Sequence, residues 1–428
     1  MGKSSLKIGL LGLGTVGSGV PLLLKENKDK ISNVTGMDVS ISKCLVLDTA
    51  SKKDFADEYG IELTTNYQDI LDDDEIQVVV ELIGGIEPAK TFILQALERG
   101  KHVVTANKDL LAQYGLTLVR TAQKHACDLY FEASVAGGIP ILRTIANSLA
   151  ADRITSIYGI VNGTTNYMLT KMTNDQLTYD EALAKAQKLG FAESDPTNDV
   201  DGIDAAYKMV ILTQFSFGMS ITIDDIVTKG IRGLKLEDIE MADTLGYAIK
   251  LIGSSESYDD SVAAEVGPVL IPKDHPLAGV QNEMNAVFIK SHGVGESMYY
   301  GPGAGAKPTA TSVVSDIITI AKNLKMGTTG HVFNGFTSDV RLTKPEHIYA
   351  KYYFSLEVPD KHGVFLKLTE SMTRTGVSFE QIVQEKVDDG RARIVIITHE
   401  MSRLQADEVK KTFAASEDIT LNACYKVL

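Results

Sequence analysis

Apolar positions recur along this chain at two spacings, and the changes between them outline the elements. A short apolar run over 6–11 predicts a strand, and helical spacing over 20–24 predicts the helix behind it. A second strand is expected over 39–47, short helices over 55–60 and 69–71, and a further strand over 76–83. An amphipathic helix over 88–99 is stopped by Gly100, and strands follow over 101–105 and 128–131. Strands alternating with helices at this interval predict a parallel, doubly wound sheet of Rossmann type, with ligands at the carboxyl ends of its strands.

A helix over 141–149 marks the passage into a second, α+β domain. Its pattern gives strands over 154–161, 262–271 and 285–292, and helices over 167–172, 179–189, 203–217 and 237–252. An apolar helix over 309–324 is expected to pack back on the first domain. Thr343-Lys344-Pro345 is read as a linker. Beyond it the order becomes βαββαβ: strands over 351–358, 377–386, 391–399 and 418–427, helices over 363–375 and 402–415. Asp388-Asp389-Gly390 supplies a hairpin turn, and the order is that of a ferredoxin-like module. The expected fold class is therefore α/β with three domains: a doubly wound domain over 1–135 completed by 305–330, an α+β domain over 136–304, and a separate module over 345–428.

Composition narrows the function. The 428 residues are 44% hydrophobic and 23% charged, as in a globular chain long enough for several cores. A net charge of −14 argues against a nucleic-acid partner, since no basic patch is available to neutralise phosphates. Three cysteines, Cys44, Cys127 and Cys424, are too few and scattered for a disulfide framework or a zinc site. No apolar run has the length of a membrane helix, and none resembles a signal peptide, so a cytoplasmic protein is expected.

Candidate chemistry gathers at a few stretches. Gly12-Leu13-Gly14-Thr15-Val16-Gly17 follows a strand and opens a helix, the context in which G-x-G-x-x-G holds a dinucleotide pyrophosphate. Asp48 ends the second strand, where an acid bonds the adenosine ribose, while Lys52 and Lys53 could meet a 2′-phosphate instead. Lys108 lies just beyond a strand end, facing a cofactor or substrate cleft. Asn162-Gly163-Thr164-Thr165-Asn166 offers small polar groups to a cleft, and 299–305 is a second glycine-rich loop. The segment 190–208 holds Glu193, Asp195, Asp199, Asp201 and Asp204, then Lys208. On the helix over 203–217, Asp204 and Lys208 share one face. Acids around one lysine suit a small ligand carrying an ammonium group while a proton moves.

Ala186, Gly190, Phe191, Ala192, Asp195, Pro196, Asp199, Val200, Gly202, Asp204 and Lys208 meet a family signature without a gap. With GLGTVG, TANK at 105–108, EASVAGGIP at 132–140, NGTTNY at 162–167, IPKDHPLA at 271–278 and YGPGAG at 300–305, the chain resembles the homoserine dehydrogenases over essentially its whole length. Its last eighty or so residues resemble an ACT domain, a module that commonly binds amino acids.

The resemblance implies interconversion of L-aspartate 4-semialdehyde and L-homoserine with NADP or NAD. Lys208 would deliver the proton and Lys108 would steady charge on the reacting oxygen. Glu193 and Asp204, with Gly190 and Asp199, would hold substrate. Gly12, Gly14, Thr15, Val16, Gly17, Asp48, Gly301 and Gly303 would line the cofactor site. Glu132, through its side chain, and Val135, Gly137 and Ile139, through carbonyls, would hold a monovalent cation, sodium. Many relatives carry an arginine before the acid that ends the second strand; Leu47 stands there in this chain, which leaves NADP preference open. A homodimer or homotetramer is implied, as is an amino-acid effector at the ACT domain, threonine first. The rival expectation is a non-catalytic amino-acid sensor on the same scaffold.

Overall fold

A computed structural model describes residues 4–330, 340–388 and 390–428. By contacts the chain forms two compact units: Met1–Ile154, Tyr207–Asp225 and Asn285–Asp339 make one; Thr155–Ala206, Ile226–Met284 and Val340–Leu428 make the other.

In the first unit six parallel strands, β1 (Ser4–Leu11), β2 (Met37–Leu45), β3 (Glu62–Thr64), β4 (Ile76–Glu81), β5 (His102–Thr105) and β6 (Leu129–Tyr130), lie in the order β3-β2-β1-β4-β5-β6. Leu6, Ile8, Leu10, Val78, Val80 and Val104 are wholly buried, as strands covered by helices on both faces require. The order reverses between β1 and β4, which opens a crevice at their carboxyl ends. Among the elements that escaped the sequence reading are one strand and one helix. β3 is only three residues long, and Glu62 interrupts its apolar pattern. The helix Lys108–Lys124 buries Leu110, Leu111, Leu118, Val119 and Ala122, but its polar composition and Gly115 hide the stripe. Lys108 is thus the first residue of a helix.

The helix Ala306–Met326 joins the same core through Ala310, Val313, Ile317 and Ile320. It approaches the helix Thr15–Glu26 closely: a Cβ on Gly19 would lie 2.8 Å from both the Ala306 carbonyl and the Ala310 methyl.

The second unit is built on strands that neighbour one another in the order Ile154–Ile160, Tyr247–Tyr258, Ser261–Pro272, Thr420–Val427, Tyr349–Pro359, Arg391–Thr398, Phe379–Asp388. The helix expected over 237–252 ends at Thr244. Gly246 takes a left-handed conformation with φ of +87°, and Tyr247–Tyr258 continues as a strand paired antiparallel with Ser261–Pro272. The polar stretch from Asn162 is no loop either: it caps and opens the helix Gly163–Asp175.

The last four of those strands are mutually antiparallel in the sequence order fourth, first, third, second, as in ferredoxin-like modules. Helices Val364–Arg374 and Arg403–Ala414 close a core around Phe354, Leu368, Ile394, Ile396 and Phe413. Of the expected hairpin turn, Asp389 lies outside the described residues. Thr420–Val427 also pairs parallel with Ser261–Pro272, matching Lys426 to Val269 and Val427 to Leu270. Lys426 there meets Glu256 at 2.7 Å and Glu265 at 2.8 Å, and Arg403 pairs with Glu265.

Candidate active site

Each strand of the cofactor crevice ends in backbone that approaches something closely. Gly12, with φ of +95°, has no room for a Cβ, which would meet the Leu82 carbonyl at 2.9 Å. A Cβ on Gly17 would fall 2.2 Å from the Gly12 carbonyl, so only glycine lets this helix leave the strand so sharply. Gly14 is different. It caps the helix Thr15–Glu26 without a side-chain bond, and a Cβ there would meet nothing within 4 Å. The first amides of the helix therefore face open space, the arrangement that takes an anionic pyrophosphate. Beside them a cavity of about 640 Å³ is lined by Gly12, Gly14, Leu47, Asp48, Lys52 and Gly84, among others. These residues fit an adenosine dinucleotide.

In the lining of that cavity Leu47 is fully exposed, an unusual state for leucine. The Asp48 carboxylate accepts hydrogen bonds from the amides of Ala50 at 3.0 Å and Ser51 at 3.3 Å. Those bonds hold it below the usual carboxylate range.

Deeper in, sequence reasoning passed over Glu81 except as an oddity in an apolar strand. It is wholly buried at the end of β4. Its carboxylate accepts the amides of Ile83 and Gly84 at 2.9 and 3.0 Å, and the Thr105 hydroxyl at 2.6 Å. Thr105 Oγ1 takes the Asn107 amide, and the Asn107 side chain bonds the Gly85 carbonyl at 2.6 Å and caps the helix that begins with Lys108. One buried acid thus ties the loop after β4 to the turn that carries Lys108. An acidic residue inside an apolar strand was the available signal.

Glu132 is buried, and burial pushes its carboxyl up to about 7. It accepts the amides of Leu142 and Arg143 at 2.9 and 2.8 Å, and its own amide donates to Asp316. Burial raises Asp316 to about 8, beside Arg143 at 2.5 Å. Two buried carboxylates face one guanidinium. The loop that follows packs on the second glycine-rich segment: Gly138 donates to the Pro302 carbonyl, and a Cβ on Gly137 would lie 2.4 Å from the Gly303 carbonyl. Gly301 sits against Ile139, and Gly303 against Asn285. Among the described residues no cluster of three or more His, Cys, Asp and Glu could hold a metal ion; the expected set has one carboxylate and otherwise carbonyls.

In the second unit the five acids of the 190–208 segment separate. Gly190, with φ of +77°, ends the helix Tyr179–Lys188. Asp195 accepts the Thr197 amide at 3.1 Å and hydroxyl at 2.6 Å, which lowers its pKa and starts the turn Thr197–Val200. Asp201 takes Nε and Nη2 of Arg232 at 2.7 and 3.1 Å. Asp199 and Asp204 both accept from the side chain of Asn162, at 2.7 and 2.8 Å. Glu193 is exposed. Asp204 opens the helix Ile203–Phe217, and Lys208 follows one turn later on it.

Two family models match, homoserine dehydrogenase over residues 140–318 and homoserine dehydrogenase, NAD binding domain, over residues 12–132. The chain is 50% identical to the homoserine dehydrogenase of Lactococcus lactis, over 99% of both chains. This chain belongs to the homoserine dehydrogenase family. Among solved structures, a homoserine dehydrogenase from Thiobacillus denitrificans superposes with a TM-score of 0.95 at 35% identity, covering 99% of this chain and 98% of that one. A hyperthermophilic archaeal homoserine dehydrogenase in complex with NADPH covers 75% of this chain and 98% of its own, with a TM-score of 0.63 at 27% identity. The chain is an NAD(P)-dependent homoserine dehydrogenase, interconverting L-aspartate 4-semialdehyde and L-homoserine by hydride transfer. The rival reading as a non-catalytic sensor finds no support among these relatives. Among the described residues no helix is long and apolar enough to cross a membrane.

Proposed function

We propose that Lys208 is the proton donor of this homoserine dehydrogenase and Lys108 the charge that steadies the reacting oxygen. The nicotinamide cofactor supplies or accepts the hydride when bound. As the aldehyde is reduced, negative charge grows on its oxygen, and the Lys208 ammonium protonates it to give the hydroxyl. Lys108, at the amino terminus of its helix, adds positive charge from the residue and from the helix end. Asp204 orients Lys208, Glu193 receives the substrate ammonium, and Gly190 and Asp199 complete the pocket. The observation that carries this reading is the placement of Asp204 and Lys208 one turn apart on a helix whose first turn is gripped by Asn162. Lys208→Ala should lower kcat for homoserine oxidation by about 1,000-fold with cofactor affinity intact. Turnover near the wild-type rate would sink the assignment.

The cofactor site is completed by Thr15, Val16, Gly301 and Gly303. With Leu47 in place of a cation and Asp48 facing the ribose end, the reading favours NAD used at least as well as NADP. Sodium is assigned to Glu132 and the carbonyls of Val135, Gly137 and Ile139. The charge balance supports it, since Glu132 and Asp316 together exceed Arg143 by one negative charge when ionised. Residues 345–428 are assigned as an ACT domain taking an amino-acid effector, threonine being the first to test, beside a nucleotide-binding domain over 1–135 with 305–330 and a catalytic domain over 136–304. A homodimer or homotetramer completes the reading. Light scattering on the purified protein tests the assembly, and activity with and without threonine tests the effector.

A further inference from the structure

Capping alone does not explain why asparagine stands at position 162. Its Oδ1 accepts the Thr165 amide at 2.9 Å and the Thr165 hydroxyl at 2.8 Å, closing the amino terminus of the helix Gly163–Asp175. Serine, threonine or aspartate would serve there as well. What they lack is a two-hydrogen donor on the other side. Nδ2 of Asn162 spends one hydrogen on Asp199 Oδ1, at 2.7 Å, and the other on Asp204 Oδ2, at 2.8 Å. All four hydrogen-bonding capacities of the side chain are then in use. The amide cannot turn over: a flip would set its oxygen against two carboxylates and its NH2 against an N–H.

Asn162 is itself buried, so its orientation is fixed by these four bonds and not by solvent. It joins three elements of the second unit: its own helix, the turn Thr197–Val200, and the first turn of the helix that carries Lys208. Asp199 and Asp204 are thus bridged by the two hydrogens of one side-chain amide.

We propose that Asn162 is a positioning residue for the dehydrogenase reaction, a neutral clamp that holds Asp199 and Asp204 at a set separation and so fixes the aim of Lys208. The inference rests on the reading that Asp204 and Lys208 serve the chemistry. Any residue that caps the helix but cannot donate twice leaves the fold and impairs the reaction.

Asn162→Asp tests this, because it keeps the shape and the cap and replaces the donor with a repelling oxygen. In the full chain, kcat/KM for homoserine oxidation should fall about 100-fold, the cost of a small misplacement of a reacting group. Cofactor binding should stay near wild type even where the buried repulsion lowers the melting temperature. The acid limb of the kcat/KM profile should move to higher pH, a response a purely structural defect would not give. If the aspartate variant does not fold, Asn162→Ser, which caps and offers one hydrogen, should lose roughly tenfold with the same shift of the acid limb. A folded Asn162→Asp or Asn162→Ser enzyme within about threefold of wild type, with an unmoved acid limb, overturns the clamp. Lys208→Ala separates the two readings. If it is inactive while Asn162→Asp is active, the clamp alone falls. If it turns over normally while Asn162→Asp is impaired with a shifted limb, the proton-donor assignment falls and the clamp on Asp199 and Asp204 stands.

Discussion

At the cofactor crevice the chain makes room by leaving side chains out, whereas the acidic segment fills its space with side chains that each require a partner. Gly12 and Gly17 let backbone groups approach one another, Gly14 leaves the helix end open, and the buried tether Glu81 binds mostly backbone and a neighbouring strand's threonine. In the 190–204 segment the bonds run from side chain to side chain, to Asn162, Thr197 and Arg232. The packed backbone at Gly12 and Gly17 tolerates no added atom. Side-chain sites tolerate changes of size but not of donor count or charge.

That contrast predicts the largest effect at Gly17. Gly17→Ala should cost about 3 kcal/mol of stability through overpacking against Gly12 and abolish cofactor binding. Gly14→Ala should leave the melting temperature alone and weaken cofactor affinity roughly tenfold; calorimetry and NADH titration on the two variants would break the comparison if they behaved alike. Next in size is Leu47→Arg, which should move the NADP to NAD ratio of kcat/KM about tenfold toward NADP, as one charged hydrogen bond to a phosphate would. An unchanged ratio would remove position 47 from the adenosine site.

Smaller again is the response to sodium. Glu132 and Asp316, raised by burial to about 7 and about 8, favour their protonated forms in the folded chain. Their contribution is full below the ordinary carboxylate pKa and is lost as pH rises through those values. A cation at Glu132 would offset that loss. At pH 8, sodium chloride against choline chloride should stabilise wild type by about 1.4 kcal/mol at tenfold over Kd, and Glu132→Gln should not respond. Smallest is Asp195→Ala, a loss of one exposed turn bond. It should lower the melting temperature slightly, more at neutral than at acid pH because the Asp195 carboxyl is held low, and leave kcat within a factor of about two.

Local pattern made most elements readable, and the helix over 203–217 keeps the limits it was assigned. Periodicity failed where it was masked or divided. Lys108–Lys124 mixes polar residues and a glycine into its buried stripe, and the 237–252 run changes from helix to strand at Gly246, where apolar residues satisfy both periods. The cofactor site was legible because three glycines within six residues carry its geometry locally. The acidic segment was legible as a place but not as roles. Asp195, Asp199, Asp201 and Asp204 look equivalent in sequence, and what distinguishes them, Asn162 and Arg232, lies about thirty or more positions away, where no local signal reaches.

The parallel pairing of Lys426 with Val269 carries a consequence for biosynthesis. Ser261–Pro272 leaves the ribosome with one edge satisfied by Tyr247–Tyr258 and the other met at Glu265 and Val266 by Val227–Thr228, while the partner for Val269 and Leu270 is made about 150 residues later. For that interval the nascent unit exposes a short stretch of open edge at Val269 and Leu270, in a sheet whose Glu256 and Glu265 still lack their cations, Arg403 and Lys426. Negative charge on a waiting edge discourages it from pairing with a neighbouring chain, so the two glutamates that later anchor the module also guard the strand before the module exists.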